Sequence, residues 1–235
     1  ELVASFVKAQ EHIDGLVLAS TGNMGASEAA GMTIIKKLAH IFLPESTPKW
    51  KIAKIEKYGG KVHVVKGNYD QAVIRARNFV QGNKQFLYGG ETILRLCGNT
   101  LLAKIIVDLL GDYPEFIFIP VGDGAQYYGF VVGFNFLIEK NYLAPRNKFP
   151  MLIGVQVDGA NPIYRSFKDQ SDQIRPIVPK TSAEAIAIGD PLYGEKILNW
   201  IARNPDSGEI MSVSEKGIPK AQSEIEETTG IRLEG

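Results

Sequence analysis

One junction near the start of the chain restricts its possible folds more than any other stretch. The apolar run Leu16-Val17-Leu18 leads into Ala19-Ser20-Thr21-Gly22-Asn23-Met24-Gly25-Ala26-Ser27, and a helix-patterned segment follows over 29–38. A strand that ends in small polar residues and opens a helix makes an anion-holding geometry. The first N–H groups of a helix have no intrahelical partner, and the helix dipole places partial positive charge among them. Gly22 and Gly25 admit close backbone approach, while Ser20, Thr21 and Asn23 add side-chain hydrogen bonds. The loop lacks the Gly-Lys-Ser/Thr ending of a P-loop and the fuller dinucleotide fingerprint. It therefore points to a small ligand bearing a carboxylate or phosphate rather than to a nucleotide.

The alternation continues. Apolar runs at 16–20, 39–43, 61–65 and 85–88 are separated by segments at 25–38, 49–58 and 69–81 with helical spacing, as Ala72, Ile74, Ala76 and Phe79-Val80 show in the last. Short strand-helix-strand connections predict a parallel sheet covered by helices. Asn68-Tyr69-Asp70 reads as a helix start, and Gly59-Gly60 after Tyr58 as a helix stop. A second set begins near residue 100, with a helix at 100–110 closed by Gly111 and a buried strand at 116–119. The glycine-rich turn Pro120-Val121-Gly122-Asp123-Gly124-Ala125 follows, then a helix at 126–140 and a buried strand at 151–157. Helices are expected at 162–167, 191–202 and 219–229. The pattern is α/β, and ligands of such sheets sit beyond the carboxyl ends of the strands, where both glycine-rich turns fall. Either turn alone is also what any α/β protein uses to cap a helix. Two of them, one in each half, point to a shared cleft.

Charge and cysteine content narrow the function classes. Lys+Arg and Asp+Glu both number 26, so no net charge draws nucleic acid or an anionic membrane. His12, His40 and His63 share no metal-ligand spacing, so no metal is expected. Cys97 is the single cysteine, which excludes disulfides within the chain and cysteine-based zinc sites and suits a reducing cytoplasm. It is expected to be a buried packing thiol. No apolar segment approaches the ~20 residues of a membrane span. His63 reads as a hydrogen-bonded structural histidine, and Lys49, Lys51, Lys54 and Lys57 as the solvated side of one helix. Tyr127-Tyr128 reads as core or cleft wall.

Taken in order, the motifs resemble the tryptophan-synthase-β group of pyridoxal-phosphate enzymes, the fold type II family. Ser20-Thr21-Gly22-Asn23 and Ile119-Pro120-Val121-Gly122-Asp123-Gly124 each follow a strand, as in that family. Pro44 with Lys51-Ile52-Ala53-Lys54 resembles its P…K…K segment. Tyr58-Gly59-Gly60-Lys61-Val62 with Lys66-Gly67-Asn68-Tyr69-Asp70-Gln71-Ala72 resembles its YGAKV…GNFDDA pattern. Ile153-Gly154-Val155-Gln156 with Gly159-Ala160-Asn161-Pro162 resembles GVQAEGAAPI, and Ala185-Ile186-Ala187-Ile188-Gly189-Asp190-Pro191 resembles AIRIGNP. Ile231-Arg232-Leu233-Glu234-Gly235 resembles the family's IFVEP segment.

The resemblance implies two open, twisted, mostly parallel sheets flanked by helices. A smaller αβ domain, 12–95, would be inserted in a larger one made of 1–11 and 96–235. It implies pyridoxal 5'-phosphate as cofactor, a small amino-acid substrate and a homodimer. Ser20, Thr21, Gly22 and Met24 would meet the substrate carboxylate, and Asn23 the ring hydroxyl of the cofactor. Gly122, Asp123, Gly124, Ala125 and Gln126 would cradle the cofactor phosphate with backbone N–H groups. The family usually has Gly-Asn where this chain has Gly122-Asp123, and a carboxylate beside a phosphate is unfavourable unless it turns away or pairs with a cation. Arg95 aligns with an arginine that holds a substrate phosphate, a task for a bidentate guanidinium; the polar residues that usually precede it are replaced by Gly89-Gly90.

The family's Schiff-base lysine lies in a Ser-x-Lys-Asp segment that would fall a few residues before Glu1, so no catalytic lysine is expected within these residues. The partner of the pyridine nitrogen would fall after Gly235, and the chain is expected to be the central part of a longer one. The nearest branch of the family forms threonine and phosphate from O-phosphohomoserine and water. The alternatives are a branch that eliminates or replaces a β-substituent, of the threonine dehydratase or cysteate-forming type, and a non-catalytic amino-acid-binding relative.

Overall fold

The computed structural model describes residues 2–90, 93–142 and 149–231, apart from the side chain of Asp70. The match at 231–235 thus lies almost wholly outside the described residues. The chain divides into two compact units, Glu1–Gly98 and Asn99–Gly235.

In the first unit the elements run α1 (Leu2–Ala9), β1 (Gly15–Ala19), α2 (Asn23–Ile34), β2 (Leu38–Pro44), α3 (Lys49–Lys57), β3 (Lys61–Val65), α4 (Tyr69–Gly82) and β4 (Phe86–Tyr88). The sheet order is β3-β2-β1-β4, and every pairing is parallel. Side chains alternate across a strand, so each strand feeds two cores. Leu16 and Leu18 of β1 join Ala39, Ile41 and Leu43 of β2 beneath α1, α2 and α3. Val17, Ala19 and Phe42 face the other way, with Ala72 and Ala76 of α4. Every residue of β1 is buried, as befits a strand covered on both faces. Each large apolar side chain buried here contributes roughly 1.5–3 kcal/mol. The resemblance assigned 1–11 to the larger domain. In this structure Val3, Ala4 and Val7 of α1 complete the first core of the first unit.

Local signals account for most boundaries. Asn68 caps α4 by accepting from the Gln71 amide at 3.2 Å. Gly59, at φ +87°, ends α3 with its amide on the Glu56 carbonyl, and the Gly60 amide returns to Ile55. Helix α2 stops at Ile34 rather than 38, because Lys36 takes a left-handed conformation (φ 60°) and Leu38 pairs with Gly15.

Helix α5 (Ile93–Leu110) begins in the first unit and continues into the second. Then come β5 (Phe116–Pro120), α6 (Ala125–Glu139), β6 (Met151–Val157), α7 (Pro162–Lys168), α8 (Gly194–Arg203), β7 (Gly208–Val213) and α9 (Ile218–Thr229). Their sheet is parallel in the order β5-β6-β7. Gly129 and Gly133 let α6 pack closely on α5: a Cβ on either would come within 2.5 Å of Asn99 or Thr100. Tyr127 is fully buried and donates its hydroxyl to the Leu152 carbonyl at 3.1 Å. Gln156, equally buried, donates to the Val121 carbonyl and accepts from the Tyr164 amide, tying β6 to the end of β5 and to α7.

Four expectations need correction. Strand β7 was not foreseen: its alternation of buried Ile210 with Glu209 and Met211 is too short to stand out. Strand β5 is not buried throughout: among the described residues it pairs with β6 alone, and Phe116 and Phe118 are exposed. Cys97 is exposed rather than a core thiol. Helix α5 is described from Ile93 rather than from 100, so Arg95 lies on it. Among the described residues, no helix is long and apolar enough to cross a membrane.

His63 does pair, with His40 of the neighbouring strand: Nδ1 of His40 lies 2.8 Å from Nε2 of His63. Both rings lie against Phe79, with Phe42 on the His63 side and Phe86 on the His40 side. Burial, then the neighbouring His63 and Lys61, push His40 down to about 4; burial and Lys61 lower His63 as well. Both are neutral when folded, so the stability tied to this pair is complete above the unfolded value of 6.5 and is lost as pH falls toward 4. The urea midpoint should therefore fall between pH 7 and 4.5, and less steeply in His63→Asn. Equal slopes would show that the pair is not the source.

Candidate functional site

The first loop is shaped by one buried hydroxyl. The Ser20 amide continues the ladder to Phe42 (3.0 Å), and its Oγ turns back to accept from the Gly25 amide at 3.0 Å and, more weakly, from the Gly22 amide at 3.4 Å. Ser20 is only 5% exposed. It fixes the turn, while Thr21, Gly22 and Met24 are half-buried and Asn23 is exposed at the helix start. Gly25 is needed for packing: a Cβ there would sit 3.2 Å from Ile41 and 3.3 Å from Ile55. Gly22 is different. Its backbone is extended (φ −141°), which any residue adopts, and a Cβ there would meet no atom within 4 Å. Neither strain nor packing calls for a glycine at this position. The bare backbone keeps open the ground in front of the first turn of α2, which is what a carboxylate approaching helix amides needs.

Two side chains that the sequence did not single out as ligand neighbours converge on this loop. Nζ of Lys54, on α3, donates to Oδ1 of Asn23 at 2.8 Å, so it is not simply a solvated helix face. The Tyr69 hydroxyl, at the start of α4, donates to the Ala19 carbonyl at 3.2 Å and closes the end of β1. The only hints were the P…K…K spacing and the aromatic place in the GNYD stretch. Arg95 belongs to the same compact unit. Its Nη1 donates to the Gly90 carbonyl at 2.7 Å, and its charge acts on Glu28 of α2. Burial raises the Glu28 carboxyl above its usual range, and Arg95 draws it partly back.

The second loop lies in the second unit, between β5 and α6. Gly124 caps α6 in a left-handed conformation (φ 85°), and a Cβ there would press on Ile197 and Tyr193. Gly122 packs against Ile186 and Ile188. The Asp123 carbonyl accepts from the Tyr193 amide at 2.9 Å, and Tyr193 stacks on Tyr128, with Lys196 over both rings. The Asp123 carboxylate turns inward and accepts from the Ala125 amide at 3.0 Å. It thus engages one of the amides that would otherwise meet a phosphate. The loop fits a phosphate through the first-turn amides of α6 around Gly124, with one donor already engaged by an internal anion.

Among the described residues, no group of three or more His, Cys, Asp or Glu side chains is placed to hold a metal ion.

Comparison with known proteins defines the class. The family model described as pyridoxal-phosphate dependent enzyme matches residues 1–235, and the chain belongs to that family. Pyridoxal 5'-phosphate is its cofactor. Similar curated proteins include the threonine synthases of Methanocaldococcus jannaschii, 32% identical over 219 residues, and of Methanosarcina acetivorans, 30% over 224. Each match covers 92% of this chain and 53% of the relative, so the chain spans about half the length of those relatives. The processed threonine deaminase isoform 2 of Solanum lycopersicum superposes with a TM-score of 0.77 at 21% identity. That match covers 99% of this chain and 65% of the other, and at this identity it establishes the shared fold.

Two measurements follow. Ser20→Ala should destabilise the protein by about 1 kcal/mol through loss of the cap, read as a lower urea midpoint with an unchanged slope. Asp123→Asn keeps an acceptor for the Ala125 amide but removes the charge, so the full-length protein should bind pyridoxal 5'-phosphate about tenfold tighter, equivalent to ~1.4 kcal/mol. Unchanged or weaker binding would mean that Asp123 does not oppose the phosphate.

Proposed function

We propose that the full-length protein is a lyase of the threonine synthase type, converting O-phosphohomoserine and water to threonine and phosphate, and working as a cytoplasmic homodimer. The observation that carries this reading is the presence, in one compact unit, of open space at Gly22 before the first turn of α2 and a half-buried arginine at Arg95. An amino acid with a phosphate at its far end carries the two anions these groups suit. The similarity to threonine synthases supports the same reading.

When bound, pyridoxal 5'-phosphate supplies the electron sink that lets protons leave the carbons next to the amino group. The amides of Asn23 and Met24, with the Thr21 hydroxyl, hold the substrate carboxylate, and buried Ser20 keeps them in place. The Asn23 side-chain amide would contact the cofactor's ring oxygen. The amides of the second loop, from Gly122 to Gln126, would hold the cofactor phosphate. Arg95 holds the substrate phosphate and stabilises its negative charge as it leaves, an electrostatic role that costs no reorganisation once the guanidinium is fixed. Its bond to Gly90 provides that fixing.

A second reading, elimination of a β-substituent from a hydroxy amino acid, draws on Gly89-Gly90, which stand where the family's polar residues usually precede the arginine. Incubation of the full-length holoenzyme with O-phosphohomoserine separates the two. Release of inorganic phosphate with threonine is expected, and Arg95→Ala should lower kcat/KM by about 100-fold. Release of ammonia and a 2-oxo acid from serine or threonine, without phosphate release, would replace this reading with the second.

A further inference from the structure

We propose that Lys54 is a positioning residue that sets which way the Asn23 amide faces. The proposal rests on the reading above, in which Asn23 contacts the cofactor's ring oxygen. A side-chain amide presents an acceptor on one side and two donors on the other. The two orientations look alike in outline and are decided by the partners around them. An ammonium carries donors only, so the atom of Asn23 that faces Lys54 Nζ at 2.8 Å has to be Oδ1. The –NH2 group is then presented on the opposite side. An anionic ring oxygen accepts hydrogen bonds, so it needs that group. With the amide reversed, it would meet a carbonyl oxygen and be repelled.

The lysine is well placed to impose this choice. Residue Ile55, next to it, is buried against the first turn of α2, where its Cδ1 would lie 3.3 Å from a Cβ on Gly25. Lys54 is therefore carried by the part of α3 whose Ile55 packs on α2, and its Nζ reaches the first residue of that helix. Lys49 and Lys57, on the same helix, are exposed, whereas Lys51 and Lys54 are half-buried, and Lys54 is the one whose Nζ reaches Asn23. Its bond to Asn23 joins residues 31 positions apart, across two elements. The charge of Lys54 also favours the anionic form of a ring oxygen held by Asn23.

The test uses the full-length protein and measures the dissociation constant of pyridoxal 5'-phosphate, the pH midpoint of its visible absorbance band and the melting temperature. Lys54→Met should weaken cofactor binding about tenfold and raise the band's pH midpoint, with the melting temperature of the cofactor-free protein unchanged. Lys54→Arg, which keeps a cationic donor, should restore most of both. Asn23→Ala should weaken binding by itself, and Lys54→Met added to it should cost little more, since the lysine acts through the amide. If Asn23→Ala weakens binding while Lys54→Met leaves affinity and midpoint unchanged, Lys54 is not a positioning residue. If Asn23→Ala has no effect on cofactor binding, the assigned role of Asn23 fails and takes the proposal with it.

Discussion

How β1 hands over to α2 governs the first unit. Ser20 ends the ladder on Phe42 and in the same residue caps the coming helix through Gly25. A strand buried on both faces can only stop where its last polar groups find partners, because an unpaired buried group costs about 1–3 kcal/mol. A serine hydroxyl meets that need inside the turn itself. Once the turn is fixed, the first turn of α2 lies beside Ile41 and Ile55, and the helix amides open toward the carboxyl end of the sheet. The cradle follows from the solution to a packing problem.

The glycines of the two loops answer different demands. Gly122 and Gly124 are explained by neighbours and by a left-handed cap, as many structural glycines are. Gly22 has no such explanation: its backbone is extended and a Cβ there would meet open space. The second loop is also where this chain departs from its family, with a carboxylate turned onto an amide of the loop. The Lys54–Asn23 bond places a fixed cation at the first loop. The two loops therefore differ in charge as well as in geometry.

Much of the fold was legible in the sequence, because apolar runs of four to seven residues between helical segments have few other solutions. The cap at Asn68 and the stop at Gly59 were legible for the same local reasons. What escaped depends on distant partners. Strand β7 becomes a strand only because β6 offers it an edge. The exposure of Cys97, and of Phe116 and Phe118 on β5, reflects which faces find a neighbour, and no local pattern carries that. At the site, the loop residues themselves could be read from their chemistry. Lys54 and Tyr69 could not, since a lysine on a lysine-rich helix and a tyrosine at a helix start look ordinary until the fold brings them to the end of β1.

The decisive measurement is a crystal structure of the full-length protein with pyridoxal 5'-phosphate. The cofactor phosphate is expected on the backbone amides between Gly122 and Gln126, and the ring oxygen within hydrogen-bonding distance of the Asn23 side-chain nitrogen. A phosphate bound elsewhere, or a ring remote from Asn23, would contradict this arrangement.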